Sequence, residues 1–168
     1  LGSAAPDFFG GFYTQFKYKG FALGAEFSYS KGNMAYNAVR NQLEGMNTLG
    51  NQSIAVLNRW SLDGQVTDMP RVQHNDPYRS TSFSERWLED ASYLRMKSVT
   101  LSYSFDKTVL NFFRSGTLYV SGENLLTATK YLGLDPEFSY SYSEMSQGLD
   151  YAKMVQPKSV KFGVNLKF

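Results

Sequence analysis

Val160-Lys161-Phe162-Gly163-Val164-Asn165-Leu166-Lys167-Phe168 decides the reading of this chain. Val160, Phe162, Val164, Leu166 and Phe168 alternate with Lys161, Gly163, Asn165 and Lys167, and Ser159 before them keeps the phase. A period of two puts all the apolar side chains on one side of an extended strand, whereas a helix needs a period of 3.6. About 9–11 residues is the length of a strand that crosses a bilayer. The stretch closes on an aromatic residue with no polar tail, where chain ends usually fray into water.

The same alternation recurs upstream. Phe12, Thr14, Phe16 and Tyr18 alternate with Tyr13, Gln15, Lys17 and Lys19, and Phe21, Leu23, Ala25, Phe27 and Tyr29 alternate with Ala22, Gly24, Glu26, Ser28 and Ser30. These two runs meet at Lys19-Gly20, a tight hairpin in which glycine supplies positive φ. Within the segment 92–105, Val99, Leu101, Tyr103 and Phe105 oppose Ser98, Thr100, Ser102 and Ser104. Thr117 to Leu126 forms a fifth strand with poorer alternation. The predicted class is therefore all-β.

The connections are unequal. Lys19-Gly20 is short and 106–116 moderate, while 31–91 and 127–157 are long. Short turns at one end and long loops at the other characterise outer-membrane barrels, and that assignment places the carboxy terminus in the periplasm. Helical character is expected within the first long loop at 35–45 and 52–60, and irregular chain at 63–84.

The bulk composition agrees. Aromatic residues make up 16% of the chain, with 13 Phe and 12 Tyr against 2 Trp. Mean hydropathy is nevertheless −0.36, as in a barrel whose strands hide every other residue from lipid. The chain has no cysteine, so disulfides and thiolate metal sites are excluded, and its net charge of +2 carries no basic run suited to nucleic acid. It begins at Leu1 with no visible signal peptide. Five strands cannot close, and an open sheet in a bilayer leaves unpaired backbone at both edges. Further strands are expected upstream.

Several segments resemble one family. Trp87-Leu88-Glu89-Asp90-Ala91-Ser92-Tyr93-Leu94-Arg95-Met96-Lys97 is similar to the strand-opening motif of SusC/RagA-type TonB-dependent transporters. Ser121-Gly122-Glu123-Asn124-Leu125-Leu126-Thr127, Tyr131-Leu132-Gly133-Leu134-Asp135-Pro136-Glu137 and the terminal strand follow in that family's order, and the Tyr18-Lys19-Gly20-Phe21 hairpin fits the region before them. Ala91 stands where the family often has Gly, and the loop 41–84 matches no named pattern. The resemblance implies that residues 1–168 are the C-terminal five strands of a large antiparallel transmembrane β-barrel of about 22 strands. A plug domain and earlier strands would lie upstream. It implies TonB-dependent uptake of a glycan or peptide across the outer membrane, with TonB and a SusD-like surface lipoprotein as partners, no cofactor and no catalysis. A soluble carbohydrate-binding β-sandwich and an outer-membrane barrel enzyme are the alternatives.

Single residues are read sparingly. Phe138, Tyr140 and Tyr142 alternate with serines and are candidates for stacking on a substrate in the last long loop; packing on the barrel rim or on a lid protein is the plainer role. Asp135, Glu137, Glu144 and Asp150 lack the spacing of a calcium loop and read as solvated or turn-forming acids. His74, the single histidine, has no second ligand and reads as a solvated loop residue. Tyr18, Tyr29, Tyr103 and Tyr119 suit interfacial aromatic belts. Glu26 and Glu123 should face a lumen beside a cation, with Lys17 the candidate partner of Glu26.

Overall fold

The computed structural model describes residues 2–106, 114–138 and 146–167. Contacts divide the chain into two compact units: a sheet unit of residues 6–32, 92–130 and 155–168, and a loop unit of residues 1–5, 33–91 and 131–154.

The sheet unit is a five-stranded antiparallel sheet. Its strands are β1 (Phe8–Tyr18), β2 (Phe21–Lys31), β5 (Tyr93–Asp106), β6 (Ser115–Thr129) and β8 (Ser159–Lys167), adjacent in that order. The β1–β2 turn has φ of 45° at Lys19 and 87° at Gly20. Two positive values in succession match the twist of the flanking strands. A Cβ on Gly20 would also collide with the Ser104 carbonyl oxygen, and that glycine carbonyl accepts the Ser104 amide at 2.8 Å. The hairpin is thus closed against β5 as well as on itself.

The register fixes the faces. Phe16 opposes Leu23, Leu23 opposes Leu101, Leu101 opposes Val120 and Val120 opposes Phe162, one apolar row across all five strands. On the other side Thr100 opposes both Gly24 and Ser121, and Ser121 opposes Lys161. The alternation read in the sequence is the alternation of the sheet.

One irregularity keeps it so. Met96 and Val99 are an odd number of residues apart, so a regular strand would put them on opposite faces. The register with β2 slips between Glu26/Phe27, leaving Lys97 as an extra residue on β5. Opposite it on β6, Asn124 and Leu125 fall outside the paired positions, and Asn124 has φ of 52°. Asparagine tolerates that left-handed backbone better than most residues. The bulge returns Met96 and Leu94 to the apolar side, and it explains the poor alternation near the end of β6.

The loop unit contains a small sheet in which β3 (Met34–Asn37) lies between β4 (Leu88–Asp90), antiparallel, and β7 (Leu149–Asp150), parallel. Helix α1 (Ala38–Glu44) follows β3 directly, and its first turn is capped by Asn37 Oδ1 accepting the Arg40 amide at 2.9 Å. The expected first helix is thus shorter, its first residues being taken by β3. The second is a 3₁₀ segment at Ile54–Asn58. The stretch 63–84 carries no regular element. Ala35, Ala91 and Tyr131 form one buried cluster, and Met46, Val56 and Met69 another. Ala91 has no exposed surface. Its methyl group fills the first cluster at the position where the resembled family often has glycine.

Candidate functional site

The two faces of the sheet differ in chemistry. On the apolar face Phe16 is 69% and Phe162 81% exposed, with Phe12, Leu23, Leu101, Leu118, Val160 and Val164 also open. Aromatic pairs mark both ends of this face. Phe8 and Tyr29 meet edge to face at 6.1 Å near one end, while Phe21 and Tyr103 lie at 4.6 Å near the hairpin end, beside Tyr18. The 11 residues of β1 reach about 33 Å at about 3.3 Å each. At a tilt of about 40° they rise about 25 Å, the height of the apolar band of a membrane barrel between its aromatic girdles.

The polar face is a ladder of hydroxyls and charges. Thr100 donates to Ser121 at 3.0 Å, and the Ser104 and Thr117 hydroxyls lie 3.2 Å apart. Glu123 accepts from Ser159 at 2.9 Å and pairs with Lys161. Tyr13 lies over Gly24 and Tyr119 over Gly163, each where a Cβ would overlap the phenol. Tyr119 therefore belongs to the polar face and not to an aromatic belt, unlike Tyr18, Tyr29 and Tyr103. The expected Lys17–Glu26 pair is corrected as well. Lys17 opposes Ala22, four residues along β2 from Glu26, a separation of about 13 Å by strand rise. Glu26 instead accepts the Ser98 hydroxyl at 3.4 Å.

In the loop unit a buried carboxylate organises the polar interior. Glu89, 8% exposed, accepts from Arg40 Nη1 at 3.0 Å, Asn37 Nδ2 at 3.3 Å and the Leu132 amide at 2.9 Å. Arg40 also reaches Glu44 at 3.0 Å and stands 5.7 Å from the Trp87 ring. Burial works against the charge of Arg40, but Glu89 and Glu44 outweigh it and raise its pKa. Asp150 accepts the Tyr131 hydroxyl and the Ala152 amide. Burial, and then the hydrogen bond to Asp150, push the Tyr131 phenol well above its usual range. The chain segments 37–44, 87–91, 131–134 and 149–152 are thereby tied together. Glu89 carries no mark of this role in the sequence, because nothing near it indicates the distant partners it binds.

Two clefts flank α1. One of about 330 Å³ is lined by Val39, Leu43, Leu132 and Leu134 around the Arg40–Glu44 pair and Asp150. The other, about 500 Å³, is lined by Asn41, Gln42, Asn47, Thr48, Asn51 and Thr81 with Leu43 and Gly50.

The sequence candidates fall unevenly on this geometry. Phe138 stacks on Tyr131 at 5.5 Å and packs against the Ala35, Ala91 and Tyr131 cluster. Tyr140, Tyr142 and Glu144 lie outside the described residues, as does Phe168. Asp135 and Asp150 are buried at 7% and 4% exposure. They are turn-forming, as Asp135 accepting the Glu137 amide shows, but not solvated. His74 is exposed, and no group of three metal-ligating side chains occurs among the described residues.

No protein-family model matches the chain. Over 175 aligned residues covering all of it, the chain is 33% identical to TonB-dependent receptor P3 of Formosa agariphila, and 29% identical to TonB-dependent receptor P26 of the same organism. It spans only 17% and 18% of the length of these two relatives. The fold matches the RagAB peptide importer in its closed-closed state with a TM-score of 0.81 at 30% identity, over 99% of this chain and 18% of that one. The open-open state of the same importer gives 0.78 over 98% and 17%. The resemblance to SusC/RagA-type TonB-dependent receptors holds along the whole chain. It takes in the loop unit with the sheet, so the region 41–84, for which the sequence offered no named pattern, is part of the match.

Proposed function

We propose that this chain is part of the transmembrane barrel of a TonB-dependent importer in the outer membrane. One observation carries the reading: a sheet with one exposed apolar face and one hydroxyl-rich face, within a chain that matches such receptors from end to end. The apolar face would meet lipid and the polar face an aqueous or plugged lumen. No described strand pairs with the outer edges of β1 and β8. Unpaired backbone at an edge costs several kcal/mol per group in hydrocarbon, so these edges take further strands of a barrel of about 22. The hairpin end would face the periplasm, and the connections that build the loop unit would face outward.

The barrel imports a nutrient, a glycan or a peptide, with energy from TonB acting on a part of the protein beyond this segment and with a SusD-like lipoprotein at the outer surface. A soluble β-sandwich needs a second sheet to bury the apolar face; no such sheet covers it among the described residues, where Phe162 and Phe16 stay open. The curated relatives are receptors by name, which favours transport over the barrel-enzyme alternative.

Cell fractionation and uptake test this reading. The full-length protein should require detergent for release from membranes, and its deletion should abolish proton-motive-force-dependent uptake of one nutrient. Release into buffer without detergent would defeat the membrane assignment. Cargo accumulation that persists after TonB is removed would defeat the energised mechanism.

A further inference from the structure

The cleft of about 500 Å³ beside α1 is unusual in its lining. Four carboxamide side chains, Asn41, Gln42, Asn47 and Asn51, face it with the hydroxyl residues Thr48 and Thr81. None of the described lining residues is charged. Each carboxamide offers two donors and an acceptor in one plane, a set suited to vicinal hydroxyls, which donate and accept at once.

Part of this set is fixed in place and part is open. Asn41 donates to the Tyr36 hydroxyl at 3.0 Å and to the Thr81 carbonyl at 2.7 Å, while Gln42 donates to the Tyr151 hydroxyl. Thr81 is held in turn by Asp76, which accepts both its amide and its hydroxyl. The side-chain amides of Asn47 and Asn51 make no hydrogen bond to another described residue. The cleft on the other side of α1 contrasts with this: Arg40, Glu44 and Asp150 there are committed to internal partners.

Aromatic residues hold two of the lining amides, Tyr36 accepting from Asn41 and Tyr151 from Gln42. Phe83 stacks on Tyr36 at 4.6 Å and remains 73% exposed, leaving its other face to solvent. Tyr151, 49% exposed, stands at the Gln42 side. An open ring face beside planar amides suits a pyranose, whose C–H face is apolar and whose rim is hydroxylated. An anionic ligand would lose hydration here with no cation to receive it.

We propose that the cleft lined by Asn41, Gln42, Asn47 and Asn51, with Phe83 stacked on the Tyr36 that holds Asn41, is a binding site for a neutral oligosaccharide. This rests on the uptake reading and gives its cargo a chemical class. A site built to pair with hydroxyls discriminates strongly against ligands that lack them, because its own polar groups are then left unpaired.

The test uses the full-length protein purified in detergent, titrated calorimetrically with neutral hexasaccharides of glucose, mannose, xylose and galactose, with hexagalacturonate and with hexaalanine. At least one neutral hexasaccharide should bind, and hexagalacturonate and hexaalanine at least tenfold more weakly. Asn51→Ala and Phe83→Ala, both at exposed positions, should each weaken that binding by about tenfold, and Leu132→Ala in the other cleft should leave it unchanged. Gln42→Ala serves as a further variant should either fail to fold. Absence of binding by every neutral sugar at millimolar concentration overturns the proposal. So does preference for the uronate or the peptide, or sugar binding that ignores the cleft variants. If such a failure coincides with TonB-dependent uptake of another cargo, the site assignment falls and the transporter reading stands.

Discussion

The sheet unit and the loop unit solve the same problem in opposite ways. In the sheet unit the largest apolar side chains point outward and stay exposed, Phe162 at 81% among them, and order comes from backbone pairing along five strands. In the loop unit the apolar residues turn inward, with Ala35, Ala91 and Trp87 at 1% exposure or less, and order comes from small clusters and a buried carboxylate. Each arrangement is stable only in its own solvent. Hydrocarbon rewards an outward apolar face and demands complete backbone pairing, whereas water rewards an inward one. The comparison teaches that one short chain is written for two environments, and that the boundary is visible as an inversion of pattern.

The sharpest way to break the comparison uses neighbouring residues on β5. Leu101→Arg puts a charge on the apolar face and should destabilise the membrane-inserted protein by about 2–4 kcal/mol. Thr100→Arg, one residue away on the polar face, should cost less than about 1 kcal/mol. Equilibrium unfolding of the full-length protein from lipid vesicles checks this, and equal costs at both sites would dissolve the distinction between the faces.

The loop unit should respond next. Glu89→Ala removes the acceptor for Arg40, Asn37 and the Leu132 amide and should cost about 2–3 kcal/mol, because buried donors are left unpaired. Glu123→Ala on the sheet, whose Lys161 partner is 57% exposed, should cost far less, because solvent screens an exposed pair. Protease sensitivity of the loops should rise for the first variant and not for the second.

A smaller effect tests the Tyr131–Asp150 contact. Tyr131→Phe should cost about 1–2 kcal/mol through the lost donor to a buried carboxylate. The raised phenol pKa also makes a pH prediction. Neutral Tyr131 stabilises the fold in full below about pH 10, and that contribution is lost only as pH rises further, through the folded-state value. Difference absorbance at 295 nm should therefore show the same early-titrating tyrosine signal in wild type and in Tyr131→Phe.

The smallest effect concerns Asp76. Burial opposes its charge, but hydrogen bonds from Thr81 and Ser80 win and hold its pKa down, from 3.8 to about 2. Its contribution is present above pH 3.8 and fades as pH falls toward about 2. Acidification through that window should lower the protection of the Ser80 and Thr81 amides relative to their intrinsic exchange rates and weaken the adjoining cleft. Asp76→Asn should show fast exchange already at neutral pH.

What the sequence determined by itself is what period two can encode. Each strand carries its own faces in adjacent residues, so the apolar row through Phe16, Leu23, Leu101, Val120 and Phe162 was legible, as was the Lys19-Gly20 turn, which needs only local backbone freedom. The tertiary structure decided whatever depends on register or on distant partners. Pairing sets Lys17 and Glu26 four residues apart, packing puts Tyr119 on the polar face, and the Lys97 bulge restores an alternation that the letters alone break. Glu89 gathers Asn37, Arg40 and Leu132 from 43 to 52 positions away. The amide cleft likewise joins Asn41 to Thr81 across 40 positions. Alternation is a property of neighbours, whereas a buried network and a cleft are properties of loop closure, which no local pattern records.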